Sequence, residues 1–154
     1  MKTVFFLSLL FTAFATAGGL AHSFELLNKI NLPAEQYLVV QQIYRGWALL
    51  GIVVFGSLGS ILALTIMVRR DRRLFPLTLT ALLCIVGTQI IFWRFTFPVN
   101  QETRNWTVLP DNWLQLRNQW EYSHLASAGL DVVALVMLYL AVLTTTDLQR
   151  GRGR

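Results

Sequence analysis

Charge is what this chain lacks most. Of its 154 residues only 14% are Asp, Glu, Lys or Arg, against about a quarter in an ordinary soluble domain. That shortage, with 55% hydrophobic residues and a mean hydropathy of +0.52, excludes an ordinary soluble globular protein. It also excludes disorder, because a disordered chain has too few apolar groups to bury rather than too many. Cysteine is nearly absent. Cys84 alone permits no internal disulfide, no CxxC redox motif and no thiolate metal cluster, and its mid-span position reads as packing. No Ser or Cys stands at a recognisable nucleophile spacing from a histidine, which speaks against a hydrolase. The length holds one domain at most.

What is present is a set of long apolar runs. Crossing about 30 Å of hydrocarbon takes about 20 mostly apolar helical residues. Four stretches qualify: Val4 to Ala21, Gly46 to Val68, Leu74 to Trp93 and His124 to Leu143, giving spans over about 4–25, 46–68, 74–95 and 124–145. The sequence therefore predicts an all-α integral membrane four-helix bundle, occupying 1–154 as a single domain. Lys and Arg near span ends mark the cytoplasmic side. Lys2, Arg69, Arg70, Arg72, Arg73, Arg150, Arg152 and Arg154 share one side, against Lys29, Arg45, Arg94, Arg104 and Arg117 on the other. Only Asp71 and Asp147 of the acids join the first group. Both termini are thus expected in the cytoplasm of a plasma or inner membrane. The formal charge of +5 is then a topology signal, and nucleic acid is not an expected partner. Met1-Lys2, an apolar run and Ala15-Thr16-Ala17 also fit a cleavable secretory signal. Because the run continues to Ala21, the first span is read as retained; cleavage would leave three spans and an outer N-terminus.

Leu32-Pro33-Ala34-Glu35 and Leu109-Pro110-Asp111-Asn112 both read as helix starts, with Pro in the first turn and acids near the positive end of the dipole. Each is expected to open an amphipathic outer extension running unbroken into the second or the fourth span. Trp47, Trp93, Trp106, Trp113, Trp120, Tyr37, Tyr44 and Tyr122 fall near the outer boundary, where an ordinary aromatic belt accounts for most of them. Small residues at 18, 19, 51, 56, 59 and 60 would let the first two spans approach closely.

Two polar features stand out. At 100° per residue, Trp113, Arg117, Trp120, Glu121, His124, Ala128 and Asp131 share a face of roughly 100° that enters the membrane. Asp131 lies about 10 Å beyond His124, and an intramembrane acid is a functional candidate by default; the alternative is a protonated side chain or one paired with Arg94. His22 and Glu25, three apart at the end of the first span, share a face as well. The chain's two histidines therefore face each other, each with a carboxylate one turn away. His22, Glu25, Glu121 and His124 would suit one zinc, iron or copper ion. They under-supply a di-metal centre, and a haem between the histidines is a further option. Interfacial histidines held by hydrogen bonds and salt bridges are the alternative. From Phe97 to Trp106 the chain reads as a loop whose Asn100, Gln101, Arg104 and Asn105 interleave with aromatics, suited to a flat molecule with polar edges or to an interfacial lid.

The four spans, Pro98-Val99-Asn100 after the third, and Trp113-x-x-Leu116-Arg117-x-x-Trp120-x-x-x-His124 entering the fourth resemble the anthrone-oxygenase-like family of small four-helix membrane proteins. Its characterised members oxidise tricyclic polyketide anthrones to anthraquinones with O2 and no bound cofactor. The resemblance implies a site of Asn100, Trp113, Arg117, Trp120 and His124. In it His124 would act as base, Glu121 or Asp131 would orient it, Arg117 and Asn100 would hold the oxyanion, and Trp113 and Trp120 would stack on substrate. The family often carries arginine where this chain has Ser127, so one cation for a phenolate is missing. The expectations are an oxygenase-like oxidoreductase, cofactor-free or with one transition-metal ion, acting on a hydrophobic aromatic or quinone-like molecule. The alternative is a non-catalytic membrane protein that binds a lipid or small molecule or scaffolds a partner. Self-association into a homo-oligomer stays open, and a transporter is poorly served by four short helices.

Overall fold

A computed structural model describes the backbone of residues 1–152 and the side chains of residues 1–145. Asp147, Arg150, Arg152 and Arg154, used above for orientation, lie outside the residues whose side chains are described. Four helical stretches are long and apolar enough to cross a membrane: Lys2–Lys29, Trp47–Met67, Leu74–Glu102 and Trp113–Thr145. The elements are α1 (Lys2–Lys29), α2 (Ala34–Gln41), α3 (Leu50–Met67), α4 (Leu74–Ile91), α5 (Phe97–Glu102) and α6 (Trp113–Arg152), with no strand among the described residues. α1 packs on α3 and α6, and α4 packs on the same two, closing a four-helix ring.

The tight turn between α3 and α4 is stabilised locally. Asp71 Oδ1 accepts from the backbone N–H of Arg73 at 2.9 Å and of Leu74 at 3.1 Å, which caps the start of α4. Inside the ring, Phe5, Ile61, Leu64, Ala81, Ile85 and Leu138 form an apolar core, with Cys84 packed at its edge as expected. Small groups set the interhelical distances. A Cβ on Gly56 would lie 2.9 Å from three ring atoms of Phe11, so α3 rides directly over that ring. Gly19 serves a different seam, since its added Cβ would meet Ala128 of α6 at 3.2 Å. Gly51 and Gly59 face open space, so the small-residue stripe is only partly a packing device. Gly56→Ala is expected to cost about 1–3 kcal/mol through overpacking, whereas Gly59→Ala should change stability by less than about 1 kcal/mol. Thermal unfolding of the two variants in detergent checks the contrast.

The end of the bundle opposite the arginine turn is where sequence and structure part. α6 runs without a break from Trp113, three residues after Pro110, whose carbonyl accepts from Trp113 N at 3.0 Å. The stretch after Pro33 is broken. α2 ends at Gln41, a 3-10 turn covers Gln42–Tyr44, Arg45 is extended, and Gly46 takes φ +90 before a second 3-10 turn at Trp47–Leu49. That left-handed backbone suits glycine because it has no Cβ to clash. The stretch from Phe97 to Trp106 is not the expected loop. A π-helical turn at Phe92–Thr96 carries α4 into α5, with Pro98 in the first turn of α5 where its missing N–H costs least.

Beyond α5, Arg104, Asn105 and Trp106 hold φ of 48, 55 and 59, one left-handed turn built from three side-chain-bearing residues. Such residues cost about 1–2 kcal/mol each. Compensation is visible: Asn105 N donates to Asn100 O at 2.7 Å, and Trp106 N to Thr103 Oγ1 at 3.1 Å. The turn drives the Trp106 ring inward, into a second core with Tyr37, Val99, Leu116 and Trp120. Tyr37, Trp106 and Trp120 are therefore interior residues rather than members of an interfacial belt, while Trp47, Trp93 and Tyr122 are exposed.

Candidate functional site

Beside this second core lies a buried cluster of charged and hydroxyl groups. α1 contributes His22, Glu25 and Lys29, whose spacing of three and seven residues puts them on one face. α2 folds back over that face and contributes Tyr37 and Gln41, and the following 3-10 turn adds Tyr44. α6 supplies Trp120, Glu121 and His124. The fold-back is held by Arg117, which donates to Leu32 O at 2.9 Å while its guanidinium lies 4.8 Å from the Trp113 ring centre and 5.4 Å from that of Tyr37.

Glu121, 1% exposed, is the hub. Its Oε1 accepts from Tyr37 OH at 2.7 Å and from Gln41 Nε2 at 3.3 Å. Its Oε2 lies 3.2 Å from His22 Nε2 and 3.4 Å from Lys29 Nζ. Lys29 Nζ is in turn 3.4 Å from His22 Nε2, so carboxylate, imidazole and ammonium close a triangle. Lys29 also pairs with Glu25 at 3.6 Å and donates to Tyr44 OH, which donates onward to Glu25. Burial foremost, then the bond to Glu25, holds the Tyr44 phenol above its ordinary pKa; burial and the Glu121 charge do the same for Tyr37. Both tyrosines stay protonated and serve as donors to carboxylates.

Aromatic rings wall the triangle. The His22 and His124 rings lie 4.3 Å apart, Trp120 lies 4.6 Å from His22 and 4.3 Å from His124, and Tyr44 lies 4.8 Å from His22. Trp120 is oriented by Nε1 donating to Asn100 Oδ1 at 2.7 Å. His124 Nδ1 lies 2.8 Å from Trp120 O, which leaves Nε2 as its open nitrogen. Next to Tyr44, whose ring is 4.9 Å from Trp47, a surface groove of about 470 Å³ runs between α1 and the start of α3, lined by Phe14, Gly18, Trp47, Leu50 and Val53 among others.

The expected pairing of histidines across the bundle is present, but their partners are exchanged. Glu121 bonds His22 on the facing helix instead of His124 on its own, and Glu25 bonds Lys29 and Tyr44. The Lys29 ammonium sits between the two acids, 3.6 Å from Glu25 and 3.4 Å from Glu121. Among the described residues no group of three or more His, Cys, Asp or Glu is placed to hold a metal ion. Arg117 is committed to the hairpin, and Arg104 is exposed on the left-handed turn. Asp131 is buried against Gly19 and makes no side-chain hydrogen bond or ion pair among the described residues. Arg94, its suggested partner, is exposed and packs over Phe95.

Lys29, Tyr37, Gln41 and Tyr44 are members of this cluster that the sequence did not single out. Lys29 counted there only as a topology charge and the tyrosines only as belt residues. Their signal was legible all the same: 22, 25 and 29 share one helical face, and 37 and 41 share another. Comparison with known protein families, with curated proteins and with solved structures finds no match.

Proposed function

We propose that the chain is a multi-pass plasma- or inner-membrane oxidoreductase of the oxygenase type. It acts on a hydrophobic aromatic or quinone-like molecule at the outer boundary, with both termini in the cytoplasm. The His22–Glu121–Lys29 triangle carries this reading: a carboxylate–imidazole pair, screened from water and walled by aromatic rings, beside a groove open at the surface. A carboxylate paired with an imidazole fixes the ring's orientation. His22 is thus the better-supported base, with His124 stacked beside it. For an anthrone-type substrate, loss of a ring proton leaves an electron-rich carbanion able to reduce O2. Overall one CH2 becomes a carbonyl, one O2 is consumed and one water leaves.

The test is oxygen uptake by the full chain in lipid nanodiscs with 1,8-dihydroxyanthrone. His22→Ala and Glu121→Gln should each lower turnover at least about a hundredfold while circular dichroism stays unchanged. Uptake that is equal in wild type and both variants overturns the reading. It would favour the second one, a non-catalytic binder in which the cluster clasps α2 to the bundle, a role that the two hydrogen bonds and two ion pairs of Glu121 also suit. Near-stoichiometric iron, copper, zinc or manganese lost with either histidine would instead move the chemistry onto a metal ion.

A further inference from the structure

Tyr44 presents its hydroxyl to Glu25 and receives a bond from Lys29, with its ring against His22, Trp120 and Trp47. It is a phenol of the protein's own, already seated between a carboxylate that accepts its hydrogen bond and an ammonium that faces its oxygen. We infer that Tyr44 is a resident stand-in for the substrate and a gate. The groove between α1 and α3 admits a flat aromatic molecule bearing a free hydroxyl, and that hydroxyl displaces Tyr44 from Lys29 and Glu25. This rests on the oxidoreductase reading and deepens it by naming the recognised group and its route.

Four observations support the displacement. The Tyr44 side chain is half-buried and packs on Trp47, which lines the groove, whereas Lys29 and Glu121 behind it are sealed. Trp47 touches Tyr44 on one side and lines the groove on the other, so this pair of rings is what separates the groove from the polar cluster. Tyr44 sits on a 3-10 turn, which is short and poorly bonded compared with an α-helix. Two residues later Gly46 holds φ +90 in open space, a backbone point where the turn can pivot without a side-chain clash. The chemistry of the occupant follows from the pair it must satisfy. A hydroxyl both donates to Glu25 and accepts from Lys29; an ether only accepts, and a hydrocarbon does neither. An aromatic body suits the groove, whose lining is mainly apolar, and the rings of Trp47 and Trp120 on either side of Tyr44.

The experiment is equilibrium binding of 2-naphthol to the full chain in nanodiscs, read by quenching of tryptophan fluorescence, with 2-methoxynaphthalene as the blocked analogue. Empty nanodiscs are subtracted. Wild type should bind 2-naphthol at least fivefold more tightly than the ether. Tyr44→Phe removes the competing hydroxyl while keeping the ring, so it should tighten 2-naphthol about tenfold and leave the ether unchanged. Lys29→Met should abolish the preference for the free hydroxyl. Val53→Phe, which fills the groove away from the polar cluster, should weaken both ligands. Equal binding of the two ligands in wild type and in Tyr44→Phe overturns the inference, even if Lys29→Met fails to fold. Because the readout is binding, the two proposals fail separately. Phenol selectivity without oxygen uptake removes the oxidoreductase and keeps the gate; oxygen uptake with no selectivity does the reverse.

Discussion

Glu121→Ala should be the most destabilising single change at the site, by about 3–5 kcal/mol. The cost does not measure the strength of the ion pairs. Two opposite charges taken out of water together come close to breaking even, because desolvation consumes most of their attraction. Removing one of them is different. Lys29 is 2% exposed, and without Glu121 its ammonium keeps only Glu25 at 3.6 Å as a charged partner, while Tyr37 OH and Gln41 Nε2 lose their acceptor. The α2 hairpin hangs on those bonds, so its attachment to α6 should loosen first. Replacing both charges with apolar groups, Lys29→Met with Glu121→Leu, should recover at least half of the loss. Thermal unfolding in detergent of the two singles and the double closes the cycle. A strictly additive double would mean that the pair is not coupled and that Glu121 acts only through Tyr37 and Gln41.

Trp120→Ala is the second large effect, also about 3–5 kcal/mol. Its ring is the common wall of two groups of residues. It lies 4.6 Å from His22, 4.3 Å from His124 and 5.5 Å from Tyr44 on the polar side, and 5.9 Å from Trp106 within the second core. Truncation opens a cavity where α1, α2, α6 and the left-handed turn meet, beside the Lys29 ammonium 5.4 Å from the ring centre. Trp120→Phe separates packing from hydrogen bonding. It keeps an aromatic wall but removes the 2.7 Å bond to Asn100, for an expected loss of about 1–2 kcal/mol. Differential unfolding of the two variants, with hydrogen exchange at Tyr37 and Trp106, distinguishes local from global loss. If the Phe variant fell as far as the Ala variant, the Asn100 bond and not the stack would be the dominant contribution.

The sequence by itself determined the four long apolar helices and the approximate position of the buried polar cluster. Long apolar runs bounded by Arg69–Arg73 leave few alternatives to membrane-spanning helices, because an exposed backbone in lipid must bond to itself. The spacings of His22 with Glu25, and of Trp120, Glu121 and His124, placed those side chains on two faces that meet, since helical periodicity is a local property. Which acid pairs with which histidine was decided only when α1 and α6 packed, because the register between these facing helices depends on contacts such as Gly19 on Ala128. The part played by Lys29 was decided there too. A lysine read along the chain is a surface charge; it becomes the centre of a polar cluster only when α2 folds over it. That fold-back depends on a broken helix at Arg45 and Gly46, on Arg117 reaching the Leu32 carbonyl, and on three residues held left-handed to turn Trp106 inward. None of these is visible in periodicity, because the left-handed Arg104, Asn105 and Trp106 are unfavourable alone and the Arg117 bond joins residues far apart in the chain.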